Sequence, residues 1–455
     1  MDDRPESLSE VRPLLDRLGV EFLFAQFVDM SARPSAKLIP ARHVDDLFGE
    51  GAGFAGYAAG DIGQSPHSPD LMAIPDPRSF TVVPWQPDLV RFACDMRVDG
   101  HEWPYCPRTI LRRVTDRARA QGYELKIGFE PEFMLLRRNG GGALELADPL
   151  DTLDRPCYDM KGLTRSYEFI RMLSRYQTEL GWDNYANDHE DANCQFESNF
   201  RYADALTTCD RLIFFRYMVH TLAQREGMVA TFMPKPFRHL TGNGCHMHMS
   251  LWNPQTDTNL FEDEDDPRGF GLSPLAYQFL AGLLVHAPGY IAVTAPTVNS
   301  YKRLRVGAPN SGATWSPVYV TYGGNNRTQM IRIPAPGRFE DRTVDGSCNP
   351  YLAAAVTLAS GLDGIERGLD PGKPNLDNLY EVPEDELRRR GIDVLPGNLL
   401  DATRGLAADQ VLREALGMAV GEDYVDYYVG VKQREWDDYH SQVSDWEVNR
   451  YVARY

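Results

Sequence analysis

The chain has 455 residues and a formal charge of −18. That length exceeds what one ordinary core accommodates, so two or three domains are expected, and the globular composition excludes wholesale disorder. The acidic balance disfavours nucleic acid and anionic membranes as partners, although a local arginine cluster would still hold a nucleotide. Residues 5–19 predict a short amphipathic helix, with Val11, Leu14, Leu15 and Leu18 at helical spacing. "EFLFAQFVDMSARPSAKLIP" predicts two strands about a turn at 31–35. The Gly/Ala-rich "GEGAGFAGYAAGDIGQ" predicts a loop, and "SFTVVPWQPDLVRFACDM" two further short strands. This N-terminal part is therefore expected to be mainly β. The Pro-rich "HEWPYCPRT" marks a boundary, which gives domains at 1–103 and 104–455.

Beyond the boundary, helices are expected at 109–120, 163–180, 204–226 and 273–286, and from Asn349 onward. Strands are expected at "KIGFEPEFMLL", "NCQFESNF", "VATFMPKPF", "GCHMHMSLW", "SPVYVTYG" and "TQMIRIP". The mixture lacks a regular βαβ period, which points to an α+β fold. The acidic run "EDEDDP" (262–267) reads as a solvated loop, and the tail from 409 to 455 as polar-aromatic helix packed against a partner subunit. Seven cysteines without CxxC spacing argue against a disulfide framework and a structural zinc site. The acidic N-terminus lacks a secretory pattern, and no apolar run approaches the length needed to span a bilayer. The expected location is cytoplasmic.

The strand "KIGFEPEFMLL" raises the chemical question. Alternation puts Phe129 and Phe133 on one face and Glu130 and Glu132 on the other. Two like charges there would repel, and one carboxyl would keep its proton unless a cation intervened. "HEDANCQFE" carries Glu190 and Glu197, "GCHMHMS" alternates His246, His248 and Ser250 on one face, and "GRFEDR" holds Glu340 between Arg338 and Arg342. Carboxylates with an imidazole suit Mg²⁺ or Mn²⁺ better than zinc.

Together with "NSYKRL", "NNRTQMIRIP", "FEDR", "CNPYLAAAV" and "NLY", these stretches resemble the glutamine synthetase family over nearly the whole chain. "PCYDMKGL", "DHEDANCQFE", "GFAGYA" and "SGATW" look most like its branch of glutamate–methylamine ligases and type III glutamine synthetases. The resemblance implies a small N-terminal β-grasp domain and a larger catalytic domain, whose antiparallel sheet lines a funnel-shaped site. It also implies a homododecamer of two stacked hexameric rings, with sites between adjacent subunits. Glu132, Glu190 and Glu197 would hold one metal ion, and Glu130, His246 and Glu340 a second. His248, Ser250, Arg327, Arg332 and Arg338 would meet ATP. Glu132, Gly242, Arg303 and Arg342 would meet glutamate, and Tyr158 and Glu190 the amine. Glu190, Arg303, Arg327 and Arg342 would be catalytic. The implied reaction is ATP-dependent ligation of the glutamate γ-carboxylate to a small amine through γ-glutamyl phosphate. The expected amine is methylamine. Ammonia, a polyamine or ethanolamine are the alternatives, and a non-catalytic relative comes last.

The amine half departs from the family pattern. Ala55 stands in "FAGYA" where an ammonium-binding Asp is usual, and Ala58 replaces a serine. No glutamate lies between Arg303 and Pro317, where a flap usually carries one, and Thr241 replaces a usual Asn. Tyr380 aligns with a tyrosine that some bacterial members adenylylate, but its surroundings differ and it reads as an ordinary loop residue.

Overall fold

The computed structural model describes residues 4–304 and 316–455. The strand Phe22–Val28 shows how the first sheet forms. Its alternate residues Leu23, Ala25 and Phe27 are buried in one apolar cluster, while Gln26 faces the other way and receives Arg91. It pairs antiparallel with Pro34–Pro40 and parallel with Gln86–Val98. Leu71–Pro75 and then Ala52–Phe54 continue the sheet, and Thr81–Val83 and His101–Glu102 pair with the long strand, giving seven strands. Helices Leu8–Leu18 and Val44–Gly49 contribute Val11, Leu15, Val44 and Leu47 to the same cluster. This is the small N-terminal β domain expected from the resemblance.

Several local expectations are corrected. Gln86–Val98 is one 13-residue strand, longer than anticipated. The stretch read as a glycine loop contains the strand Ala52–Phe54 and a 3₁₀ turn, Gly56–Ala58. The helix expected at 163–180 is two, Met160–Arg165 and Tyr167–Glu179. Only Val229–Thr231 of "VATFMPKPF" is strand, and "SPVYVTYG" yields two-residue pieces, Tyr319–Val320 and Tyr322–Gly323. Asp266 in the acidic run is buried. It accepts the Tyr277 hydroxyl at 2.7 Å and backbone N–H groups from Arg268, Phe270 and Leu272, so part of that run is an organised turn.

The second sheet has eleven strands, with the path Asn184–His189, Gln195–Phe200, Glu124–Arg138, Cys245–Asn253, Arg338–Asp341, Ile331–Ala335, Tyr322–Gly323. Its apolar face packs on Ala205–Arg225 and on the helices behind. The helix expected at 273–286 runs through Pro288 to Thr294. At 21 residues it is long and apolar enough to cross a membrane, contrary to the sequence reading, but it is mostly buried in the core. It lies against Pro350–Glu366, and glycines let the backbones meet. A Cβ on Gly282 would fall 2.0 Å from the Ser360 carbonyl oxygen, and one on Gly364 2.1 Å from that of Gln278.

Arg108, on the helix Pro107–Ala120, joins the two layers. Its buried guanidinium pairs with Asp76, just past the strand Leu71–Pro75, at 2.7 Å, with Asp95 in Gln86–Val98 at 2.9 Å, and with Asp210 at 3.0 Å. Tyr351 also donates to Asp210, at 2.6 Å. The tail divides. Tyr424, Val425 and Tyr428 of Tyr424–His440 are buried in this chain's own core, whereas Asp445–Tyr451 buries no residue. Tyr380 packs beside Tyr319 at a 6.2 Å centroid distance with its hydroxyl buried, so that oxygen is not presented to solvent.

Candidate active site

Pairing register assembles the site. Glu132 stands opposite Glu197, which stands opposite Asp188. Glu130 stands opposite His246. His248 stands opposite Glu340, which stands opposite Arg332. Directly opposed residues share a sheet face, so six strands contribute one polar row. Phe129, Phe133, Phe196, Met247 and Phe339 fill the other face and are buried. The polar face opens into a cavity of about 600 Å³.

His246 is central. Its Nδ1 lies 3.5 Å from Glu130 and 3.6 Å from Glu340, and its Nε2 lies 3.7 Å from Glu132. Two sets of donors have ligand atoms within 4.8 Å of one another: Glu130, His246 and Glu340, and Glu132, Glu197 and His246. The first is the second-metal set implied by the resemblance. The other shares Glu132 and Glu197 with the first-metal set but has His246 in place of Glu190. Gly244 leaves room at the junction. A Cβ there would stand 2.8 Å from a Glu132 oxygen, 2.8 Å from His246 Nε2 and 2.9 Å from Arg303 Nη2.

The electrostatics show what the carboxylates lack. Burial, with Glu132 nearby, pushes Glu190 up to about 8. Burial and the surrounding Glu130, Glu190 and Glu132 raise Glu197 well above the usual carboxylate range. Burial opposes ionisation of Glu130 and Glu340 as well, but there it is outweighed. His248, 2.9 Å from Glu130, and His246 hold Glu130 well below that range. Arg342 and the histidines hold Glu340 at about 2. Oxygen-rich donors, one imidazole and two carboxyls held toward the protonated form by burial and then by like charge fit a divalent ion of the Mg²⁺ or Mn²⁺ type. Such an ion would meet a competitor at Glu340, which already takes Arg332 at 2.6 Å and Arg342 at 2.5 Å.

Arginines contribute too. Arg303, Arg327, Arg332, Arg338 and Arg342 all border the cavity, Arg332 from within the same row. Burial and then the like charges of Arg332 and Arg342 lower Arg327 from the usual arginine value, the mark of a cationic cluster suited to an anion. Arg303 is buried and donates to the Thr343 and Arg342 carbonyls, each at 3.0 Å. Gly242 lines the cavity, and its carbonyl accepts the Gln195 side chain at 2.9 Å. Tyr158 stands beside it at the mouth, 68 % exposed.

Three anticipated residues are not among those lining the cavity: Glu340, fully buried against Arg332 and Arg342, and two that lie elsewhere. Ser250 shares the histidine face but accepts the Trp252 indole N–H at 2.9 Å, outside the residues lining the cavity. Ala55 is exposed in the first sheet domain and borders no part of its own chain's cavity. The flap stretch 305–315 lies outside the described residues. The sequence reading missed Cys157, Asp188, Asp191 and Asn199, all of which line the cavity. Period-two alternation from Glu197 would have found Asn199, whose amide donates to Glu197 at 2.7 Å. Thr241, noted as a departure, donates to Asp191 at 2.8 Å.

The glutamine synthetase catalytic domain model matches residues 104–451. The glutamate–methylamine ligase of Methyloversatilis universalis is 47% identical over 98% of this chain and 99% of its own length. The glutamine synthetase of Rhizobium leguminosarum bv. phaseoli is 43% identical over 94% and 96%. A solved GmaS/ADP complex is 46% identical and superposes with a TM-score of 0.90, covering 99% of this chain and 100% of that one. A solved apo GmaS gives 0.88 at 45% identity, over 98% of this chain and 100% of that one. With its carboxylate–histidine row and arginine wall held on this antiparallel sheet, the chain belongs to the glutamine synthetase family.

Proposed function

We propose that this protein is an ATP-dependent glutamate–amine ligase whose preferred amine is methylamine. The observation that carries the reading is that one cavity is lined both by an acidic, imidazole-bearing row and by five arginines. A glutamate γ-carboxylate is a poor electrophile. Its oxygen attacks the γ-phosphorus of ATP, the bond to ADP breaks, and γ-glutamyl phosphate forms. The amine nitrogen then attacks the acyl carbon, and phosphate leaves. Arg327, Arg332 and Arg338 serve the phosphates, with His248 on the nucleotide side. Arg303, Arg342 and the Gly242 backbone orient glutamate. Glu190, which gives up its own proton when a divalent ion binds, takes the proton shed by the amine, with Tyr158 beside it. Glu130, Glu132, Glu190, Glu197, His246 and Glu340 would hold two or more Mg²⁺ or Mn²⁺ ions, which supply charge neutralisation at the transferred phosphoryl group.

Methylamine is favoured by the identity to the methylamine ligase and by alanine at position 55. The family resemblance supports a dodecamer of two stacked hexamers, in which the neighbour's 1–103 domain would close the site formed by 104–455 and bring Ala55 to it. The expected location is cytoplasmic. ADP release with glutamate, ATP, Mg²⁺ and a panel of amines tests the assignment. The specificity constant is expected to be highest for methylamine. A higher one for ammonia, at equal concentrations of free base, would overturn it in favour of the glutamine synthetase reaction of the 43% identical relative.

A further inference from the structure

Asp151 has no part in the chemistry above, yet it is buried directly behind the Glu190 hairpin. Its Oδ2 accepts the backbone N–H of Cys194 at 2.6 Å and lies 2.7 Å from His189 Nε2. Its Oδ1 accepts the Asn193 side chain at 3.2 Å, and Arg165 approaches that oxygen at 3.8 Å. The His189 ring is fully buried, edge-on to Phe196 at 5.1 Å, and its Nδ1 lies 2.9 Å from the Glu190 carbonyl oxygen. His189 also reaches the opposite wall of the amine side, because its own carbonyl accepts the Tyr158 N–H at 2.8 Å.

That last contact holds a strained segment. Tyr158 has φ 63°, in the left-handed region, and so does Cys194 at 57°. Bulky residues persist there, at a cost of about 1–3 kcal/mol each, only when the surroundings over-determine them. One buried carboxylate thus fixes the hairpin carrying Glu190 from both its ends, through His189 and Cys194. Through His189 it also fixes the backbone presenting Tyr158.

We propose that Asp151, acting through His189, is a positioning residue that sets the spacing between Glu190 and Tyr158, and hence amine binding. This rests on the glutamate–amine ligase reading. It differs from a purely structural ion pair in predicting a selective effect on one of three substrates.

Two variants disturb the pair in unrelated ways. Asp151→Asn replaces one acceptor oxygen with a donor. Gly162→Ala removes no hydrogen-bonding group, but its Cβ would fall 2.4 Å from His189 Cδ2 and 2.8 Å from Nε2, pushing the ring from behind. Each is measured as the full-length enzyme, with thermal melting in parallel. The kinetics use the amine that the unaltered enzyme turns over best, so a wrong methylamine assignment shows in the unaltered enzyme and leaves this test intact. A misplacement of about 1 Å can cost about 100-fold, and we expect a rise of up to that size in the amine KM for both variants. At saturating Mg²⁺, which holds Glu190 in the metal site, the KM values for ATP and glutamate should stay within about threefold, because the Tyr158 backbone on the His189 carbonyl is then what moves. The proposal is overturned by equal rises in all three KM values, by a fall in kcat alone, by no change, or by loss of the folded transition in both variants.

Discussion

Glu132 and Gly244 bind each other twice. The Glu132 N–H donates to the Gly244 carbonyl at 3.2 Å, and the Gly244 N–H donates to Glu132 Oε2 at 2.8 Å. Gln195 donates to the same oxygen at 3.0 Å. The carboxylate is therefore aimed by its neighbours, with Oε1 left toward His246.

Glu132→Gln keeps an oxygen for the Gly244 N–H and removes the charge. Outer partners of a metal site cost about 10- to 100-fold when lost, so a direct ligand is expected to cost at least about 100-fold in kcat/KM at saturating Mg²⁺. The melting temperature without divalent ions should hold or rise, because one repelling carboxylate is gone from beside Glu190 and Glu197. Unchanged turnover would remove Glu132 from the metal site.

The protonated carboxyls make a pH prediction. Glu190 is raised from 4.5 to about 8, and Glu197 is raised as well. Across that window the folded chain holds more protons than the unfolded chain, so stability falls as pH rises. Glu130 and Glu340 act oppositely. Their lowered values give stability that is present above the ordinary carboxylate value and is lost as pH falls through the folded ones. A divalent ion replaces the protons that Glu190 and Glu197 must give up. Mg²⁺ should therefore raise the melting temperature more at about pH 8 than at about pH 5. Equal increments at both values would show that the ion does not bind these carboxylates.

The legible part of this site is the part that local periodicity controls. Phe129 and Phe133 against Glu130 and Glu132, or Met247 and Met249 against His246 and His248, follow from side chains alternating along one strand. Asp188 was not legible because its face is set by pairing with Glu197, a register that no single segment encodes. The same holds for Arg108, whose three aspartate partners come from separate elements. The helix expected at 273–286 runs on through Pro288 to Thr294, in close backbone contact with Pro350–Glu366 at Gly282 and Gly364, a packing that no single segment encodes.

Ala55 gives the remaining prediction. It leads into the 3₁₀ turn Gly56–Ala58 with φ −73° and ψ 86°, and its side chain is exposed, so an aspartate fits there without strain. Ammonium is small and strongly hydrated, and holding it against water calls for carboxylate neighbours. Methylammonium offers a methyl group whose burial is worth about 0.8 kcal/mol. Alanine removes a charged acceptor and leaves room for that methyl, while Glu190 remains to take the proton. A methyl in a good pocket discriminates only about 10- to 200-fold, so residual ammonia use is expected in the unaltered enzyme. Ala55→Asp should move the ratio of specificity constants toward ammonia by about tenfold, the lower end of that range. The position lies outside its own chain's cavity, so the shift should appear only in the assembled enzyme and vanish, with activity, on dilution to monomer. Light scattering alongside the kinetics separates the two. An unchanged ratio in an intact assembly would remove Ala55 from the amine side, and a fully active monomer would remove the neighbour's domain from the site altogether.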